Sequence, residues 1–297
     1  MIYLILEGRL GNQLFEYAAA LRMRELRGRQ EKIVIDDTDV INTNCVDLLQ
    51  KLNLYNTEFV HDNEYRWRRE FKVQRHCVTV YEWFINKRSV MRKFRLEQFF
   101  QALFNYYGYV ACTTGYIKYH CPSTESVLMS GYFQSRAYFE NMDQKLKMLF
   151  DFSKMVGEKT CSELQNICEG NSVCVHIRRG DYVNTEFDVC SIDYYNNAVQ
   201  KMLGEETGLQ FYIFSDDIEW AKKNLNQISN MKYIEGEQDY EDFYLMYHCH
   251  HFIMSNSSYS WWAQYLSDYT KKKVIAPKKW KNVKIPEGIY QSNWILI

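Results

Sequence analysis

The residues best equipped for chemistry lie in three polar blocks in the second half of the chain, each just after a short apolar run. The first is His176-Ile177-Arg178-Arg179-Gly180-Asp181. If Val173 to His176 is a strand, alternation sends His176 and Arg178 to the same side. One guanidinium can then fork onto two oxygens of a phosphate. The plainer reading is a surface ion pair between Arg179 and Asp181, of little energetic worth. The second block is Ser215-Asp216-Asp217, and the third is Ser255-Asn256-Ser257-Ser258-Tyr259-Ser260, which opens a helix. Backbone N–H groups, hydroxyls and the positive end of a helix dipole suit a phosphate. An ordinary N-cap ahead of a Trp261-Trp262 core plug fits the third block equally well.

Two other constellations raise the question of a metal. Asp37-Thr38-Asp39 places two carboxylates two residues apart after a strand, a spacing that can hold Mg²⁺ or Mn²⁺. A turn or helix cap explains it better. His248-Cys249-His250-His251 has zinc-ligand types but no second pair at finger-like spacing, so a strand entering the core is expected. No metal site is therefore assigned. If charge builds on a departing phosphate, an arginine clamp rather than a metal is the expected partner.

The elements that must position these blocks follow from apolar periodicity. Ile2 to Leu6 is a short apolar run ended by Gly8-Arg9-Leu10-Gly11-Asn12. Gln13 to Leu26 then carries Leu14, Tyr17, Ala18 and Leu21 at helical spacing, and Lys32 to Ile35 is a second strand stopped by Asp36-Asp37. This opening reads as a βαβ unit and hence a parallel sheet. Farther on, strands are expected at Val173–His176, Gln210–Ser215, Met231–Ile234, Phe252–Met254 and Lys273–Ala276. Helices are expected at Ile192–Leu203, Ile218–Leu225, Glu241–Cys249 and Tyr259–Leu266, with Ser191 and Ser258 as N-caps. The alternation predicts an α/β chain of two lobes, 1–150 and 151–297. In an open parallel sheet ligands sit beyond the carboxyl ends of the strands, so the three blocks should share one crevice.

Residues 50–150 give weaker signals. From His61 to Phe100 ten basic residues face five acidic ones among many aromatics. Contact with a glycan or a membrane surface would suit that composition, but solvated helices with aromatic undersides are the preferred reading. The net charge of −1 gives no global pull toward nucleic acid. Nine Cys at irregular spacing, without a CxxC pair, read as buried free thiols of a reducing compartment. With neither a secretory signal nor an apolar run of about 20 residues, the expected location is cytoplasmic, and peripheral membrane association is left open.

At these residues the sequence resembles the α-1,2-fucosyltransferases of glycosyltransferase family 11. The matching blocks are Gly8-Arg9-Leu10-Gly11-Asn12-Gln13-Leu14-Phe15 with Tyr17-Ala18, His176 to Tyr182, Phe214-Ser215-Asp216-Asp217, Glu241 to Met246, and Ser255 to Trp262, with Cys190 to Tyr195 between. Residues 50–125 carry no matching block. The resemblance implies a GT-B-like fold of two Rossmann-type lobes with parallel sheets facing across a cleft, the first on the acceptor side and the second binding GDP-fucose. It implies inverting transfer of L-fucose from GDP-β-L-fucose to the 2-hydroxyl of a terminal β-galactoside, without metal or cofactor. Arg178 would clamp the β-phosphate, with Arg9 and Asn12 as further catalytic candidates. His176 would contact the nucleoside side, and Asp242 would pair with guanine N1–H and N2–H. Ser258, Tyr259 and Ser260 would line the phosphates, with Asp216 and Asn256 also in the donor site. The family usually has Gly where Arg9 stands. Related O-fucosyltransferases carry Arg there, so Arg9 is either a second cation near the diphosphate or a residue tolerated at the rim. The general base is unassigned, with Asp181, Glu7 and Glu186 as candidates on motif proximity. Another fucosyl linkage, transfer to protein, or a non-catalytic nucleotide- or glycan-binding module are the rival readings.

Overall fold

Every strand pairing is parallel, as the strand–helix alternation requires. The computed structural model describes residues 1–62, 67–85, 88–113, 115–118, 120–226, 230–235 and 238–297. Parts of the basic stretch, at 63–66 and 86–87, lie outside the described residues. The chain forms two units. One comprises Met1–Phe150 with Lys284–Tyr290, the other Asp151–Val283 with Gln291–Ile297.

The first unit contains β1 (Ile2–Ile5), α1 (Leu10–Leu26), β2 (Ile33–Asp36), α2 (Thr38–Asn42), β3 (Thr57–Val60), α3 (Trp67–Glu70), α4 (Lys72–Ile85), α5 (Val90–Tyr106), β4 (Tyr109–Ala111), β5 (Val127–Ser130) and α6 (Asp143–Leu149). Its sheet runs β3-β2-β1-β5-β4. Central β1 pairs Ile2 with Ile33 on one side and with Val127 on the other. Such a strand is covered on both faces, which is why Ile2 to Leu6 reads as a continuous apolar run. Leu14, Phe15, Tyr17, Ala18 and Leu21 bury the inner stripe of α1. The undersides of α4 and α5 do carry aromatics, since Tyr81 and Phe104 join Tyr3, Tyr109 and Leu128 in one core cluster. Trp83, Phe99 and Tyr106, however, face solvent.

The second unit contains α7 (Glu158–Glu169), β6 (Asn171–Ile177), α8 (Ile192–Leu203), β7 (Leu209–Ser215), α9 (Ile218–Asn224), β8 (Met231–Tyr233), α10 (Asp239–His248), β9 (His251–Ile253), α11 (Ser258–Leu266), β10 (Val274–Ala276) and β11 (Ile295–Leu296). Its sheet order is β8-β7-β6-β9-β10-β11, so the chain winds outward from β6 in one direction and then restarts beside β6 in the other. Val173, Val175 and Ile177 of β6 pack with Phe211 and Ile213 of β7 and with Ala198, Val199 and Met202 of α8. Ser191 caps α8, its hydroxyl accepting from the Tyr194 amide at 3.3 Å. The cap of α11 is Ser257 rather than Ser258, which is the first helical residue. Three consecutive polar residues leave the helix start ambiguous by one position.

All nine cysteines are free thiols. Five are buried as expected, but Cys121, Cys161 and Cys168 are exposed. His248 closes α10 through the Tyr244 carbonyl, and His251 accepts the Lys273 amide at 3.1 Å within the sheet. Among the described residues no group of three or more side chains is arranged to hold a metal, and no helix is long and apolar enough to cross a membrane.

One glycine separates backbone conformation from close approach. Gly131 has φ of +107° and a Cβ there would overlap the Cys112 carbonyl, whereas Gly28, at +62°, has open space around it. Gly131→Ala is expected to destabilise the protein by about 3 kcal/mol or more, against about 1 kcal/mol for Gly28→Ala. Thermal melts of the two variants check this, and equal shifts would contradict the overlap.

Candidate active site

The three polar blocks stand at the carboxyl ends of β6, β7 and β9, which are neighbours in the sheet. The strand order reverses between β6 and β9, which is where open α/β sheets place ligands. Ser255, beyond β9, reaches the imidazole at the end of β6: its hydroxyl lies 2.9 Å from His176 Nδ1. Burial, and then the Arg178 charge, push the His176 pKa down to about 3, so the imidazole is neutral. Its ring lies 5.4 Å from that of Tyr259.

Arg178 follows directly on β6. Its guanidinium donates through Nε and Nη2 to Asp181 Oδ1 at 3.1 and 2.6 Å. On the other side Nη1 lies 3.1 Å from Asp216 Oδ2. The other Asp216 oxygen accepts the Arg179 amide at 2.8 Å. Asp217 is left to cap α9, accepting from the Trp220 amide, while the Arg179 guanidinium stacks 3.8 Å over the Trp220 ring. The surface pair expected between Arg179 and Asp181 is therefore replaced by Arg178–Asp181 and Arg179–Asp217. The side chain of Arg178 is 16% exposed, that of Asp216 23% and that of Asp181 53%. Asp216 is the fixed partner and Asp181 the solvent-side one.

Asp242 sits in the first turn of α10. Its Oδ1 is buried and has no hydrogen-bond partner. Burial, then the charges of Asp239 and Glu241, raise its pKa to about 7. Tyr259 donates its hydroxyl to the Asp239 carbonyl and packs on Phe243, with ring centroids 4.9 Å apart, so α10 and the start of α11 form one surface.

Other residues of the blocks serve the loops. Asn256 is buried, donating to the Phe187 and Trp280 carbonyls at 2.9 and 2.8 Å. Ser260 is also buried and donates to the carbonyls of Ser255 and Ser257, both at 3.2 Å. Ser258 is half-buried at the helix start. Two residues that the sequence did not single out are Ser255, which holds His176, and Tyr182, over whose ring Arg178 lies at 5.6 Å. Both fall inside recognised blocks, but nothing in residue type distinguishes them from their neighbours.

In the first unit, Gly8 (φ +72°) turns the chain after β1, and a Cβ there would meet Asn12 Nδ2 at 2.6 Å. Exposed Arg9 is the N-cap of α1, and Asn12 accepts from Gln134 Nε2 at 2.9 Å. The Glu7 amide donates to buried Glu16 Oε2 at 2.9 Å. Of the three base candidates, Asp181 is engaged by Arg178 and Glu186 pairs with Lys281 at 2.7 Å. Glu7 instead has its pKa raised by burial and then by Asp39. Asp37 is engaged by Gln50 and His61, and Asp39 lies in the first turn of α2.

Two parallel-sheet α/β lobes, the second doubly wound about β6, give the chain the GT-B architecture. The solved structure of the α-1,6-fucosyltransferase NodZ co-crystallized with GDP aligns with a TM-score of 0.53 at 12% identity. It covers 89% of this chain and 91% of that one. The family model for glycosyl transferase family 11 matches residues 71–297, and the chain belongs to that family. It is 31% identical to an α-1,2-colitosyltransferase of Escherichia coli, over 93% of this chain and 90% of the relative. It is also 30% identical to a galactoside 2-α-L-fucosyltransferase of Caenorhabditis elegans, over 50% of this chain and 45% of the relative.

The elevated proton affinity of Asp242 has a consequence for stability. Between about pH 4 and pH 7 the folded state retains a proton that the unfolded chain has released, so this group lowers stability as pH rises through that window. Asp242→Asn is therefore expected to gain on the wild type by about 2–3 kcal/mol between pH 5 and pH 8. Paired urea melts at the two pH values check the sign, and a constant difference would contradict the raised pKa.

Proposed function

We propose that this chain transfers L-fucose from GDP-β-L-fucose to the 2-hydroxyl of a terminal β-galactoside, with inversion, forming an α-1,2 linkage. The second unit binds the donor and the first the acceptor, with the division at residues 150 and 151. The observation that carries the reading is Arg178, a half-buried guanidinium braced by Asp216 at the switch point of the sheet. Its second carboxylate partner is exposed enough to yield to a diphosphate oxygen.

In the transfer the acceptor oxygen bonds to the anomeric carbon as the bond from that carbon to the β-phosphate oxygen breaks, and GDP departs with both bonding electrons. Negative charge thus grows on the β-phosphate, where a preorganised cation stabilises the transition state more than the ground state. Arg178 supplies that cation, and Arg9 is the second candidate, with Asn12 beside it in the same turn. His176, held by Ser255 and kept neutral, contacts the nucleoside side, and the opening of α11 at Ser258 and Tyr259 lines the phosphates. Asn256 and Ser260 act by shaping that opening, since their side-chain donors already go to carbonyls. Asp216 acts through Arg178. Asp242, when ionised, accepts from guanine N1–H and N2–H, which satisfies its unpartnered oxygen. The acceptor proton leaves to a carboxylate or, in a largely dissociative transfer, to solvent water, and Glu7 is the candidate carboxylate whose proton affinity is raised.

The colitosyltransferase relative favours a second reading, in which the donor sugar lacks the 3-hydroxyl of fucose. The two donors separate directly: more efficient release of GDP from GDP-colitose than from GDP-fucose, with lactose as acceptor, would overturn the fucose assignment.

Release of GDP from GDP-fucose on adding lactose is expected to persist in EDTA. Its loss would point back to Asp37 and Asp39. Arg178→Ala is expected to lower kcat by about 10²–10³, with Arg178→Lys between it and the wild type because charge survives but the fork does not. Near-normal turnover in the alanine variant would exclude the clamp. GDP affinity should weaken by about tenfold per pH unit below pH 7 as Asp242 protonates. Calorimetric titrations should show that slope flattened in Asp242→Asn, and an unchanged slope would remove Asp242 from the guanine site.

A further inference from the structure

The α4–α5 hairpin presents an apolar outer face for which the transfer reaction gives no use. The inner faces are fixed: Cys77 and Tyr81 of α4 and Phe104 of α5 pack on the sheet, and the helices run antiparallel, with Gln74 Nε2 donating to the Tyr107 carbonyl at 3.0 Å. On the opposite side Val73, Val80 and Trp83 line α4 while Phe99, Leu103 and Tyr106 line α5. Their exposure is high for apolar groups, with Trp83 at 74%, Phe99 at 78% and Tyr106 at 73%. The rings are ordered into one row, since Phe84 meets Trp83 at 4.9 Å and Phe100 at 5.0 Å, and Phe100 meets Phe99 at 5.0 Å. A solvated helix would carry polar residues at these positions.

Cations bracket the row. Lys72 and Arg75 stand exposed at one end of the hairpin, and Arg88, Arg92 and Arg95 at the other, while Glu82 is the one exposed acid among the described residues of the two helices. We propose that this face docks on an anionic phospholipid bilayer. Trp and Tyr favour the headgroup level, the apolar side chains between them enter the acyl boundary, and long cationic side chains reach the phosphates from the flanks. The same charges argue against a second copy of the chain as occupant. A two-fold interface would set the patch against itself and bring its arginines together. No membrane-spanning helix is involved, and neither the catalytic arginine nor the donor site takes part.

The test is sedimentation of the full chain with phosphatidylcholine vesicles, with and without phosphatidylglycerol, at low and high salt. Expected are binding that requires phosphatidylglycerol and weakens with salt, and a loss of about tenfold or more in affinity for the Trp83→Ser/Phe99→Ser and Arg92→Glu/Arg95→Glu double variants. Both change exposed residues, and thermal melts matching the wild type show that the fold is retained. Three results would overturn the proposal: wild type left in the supernatant with anionic vesicles, double variants that bind like the wild type, or a concentration-dependent dimer that Trp83→Ser/Phe99→Ser abolishes in a protein indifferent to vesicles.

Discussion

Asp216 is the contact on which the arrangement at the end of β6 depends. One of its oxygens holds the Arg179 amide and the other holds the Arg178 guanidinium, so a single carboxylate fixes both the turn after β6 and the cation it delivers. Gly180 is part of the same device, because a Cβ there would lie 2.6 Å from Asp216 Oδ2. A guanidinium with so little exposure is partnered, since taking a lone charge out of water is unfavourable. With two carboxylates of unequal exposure, the fixed one keeps the cation in place and the outer one occupies the donors that an anion would use. The desolvation of Arg178 is thus met in the folded protein itself, which is the condition for a cation to act without reorganising.

The polar groups around Arg178 divide by charge in a way that suits a nucleoside diphosphate. The guanidinium is the cation of the group, and its own field helps keep His176 neutral. On α10, burial and then the charges of Asp239 and Glu241 raise the pKa of Asp242. A cation and an acceptor carboxylate are therefore both present on one lobe.

Much of this arrangement was legible in the sequence. The strands expected at 173–176 and 210–215 were readable because each is an apolar run ended by charge, and extend to 171–177 and 209–215 in the fold; α8 was readable because Ser191 marks its start. That the three blocks fall at strand ends followed from the alternation, whereas the adjacency of those strands is visible only in the sheet order. What stayed hidden depends on contacts between distant residues. Asp216 and Asp217 are the same residue type in adjacent positions, and only packing decides that one caps α9 while the other braces Arg178. Asn256 and Ser260 belong to a recognised block, yet their donors are consumed by loop carbonyls. The exposed row of Trp83 and Phe99 has no signal in residue type, because aromatic residues usually mark a buried face. Lys284–Tyr290 joins the first unit although it follows the second in sequence, and no local signal announces that return.

The most direct trial of this account is a crystal structure of the protein with GDP bound. The expected result is a β-phosphate oxygen within hydrogen-bonding distance of the Arg178 guanidinium, Asp216 still in contact with it, and Asp181 displaced toward solvent. A diphosphate bound elsewhere, with Asp181 still joined to Arg178 as in the free protein, would contradict it.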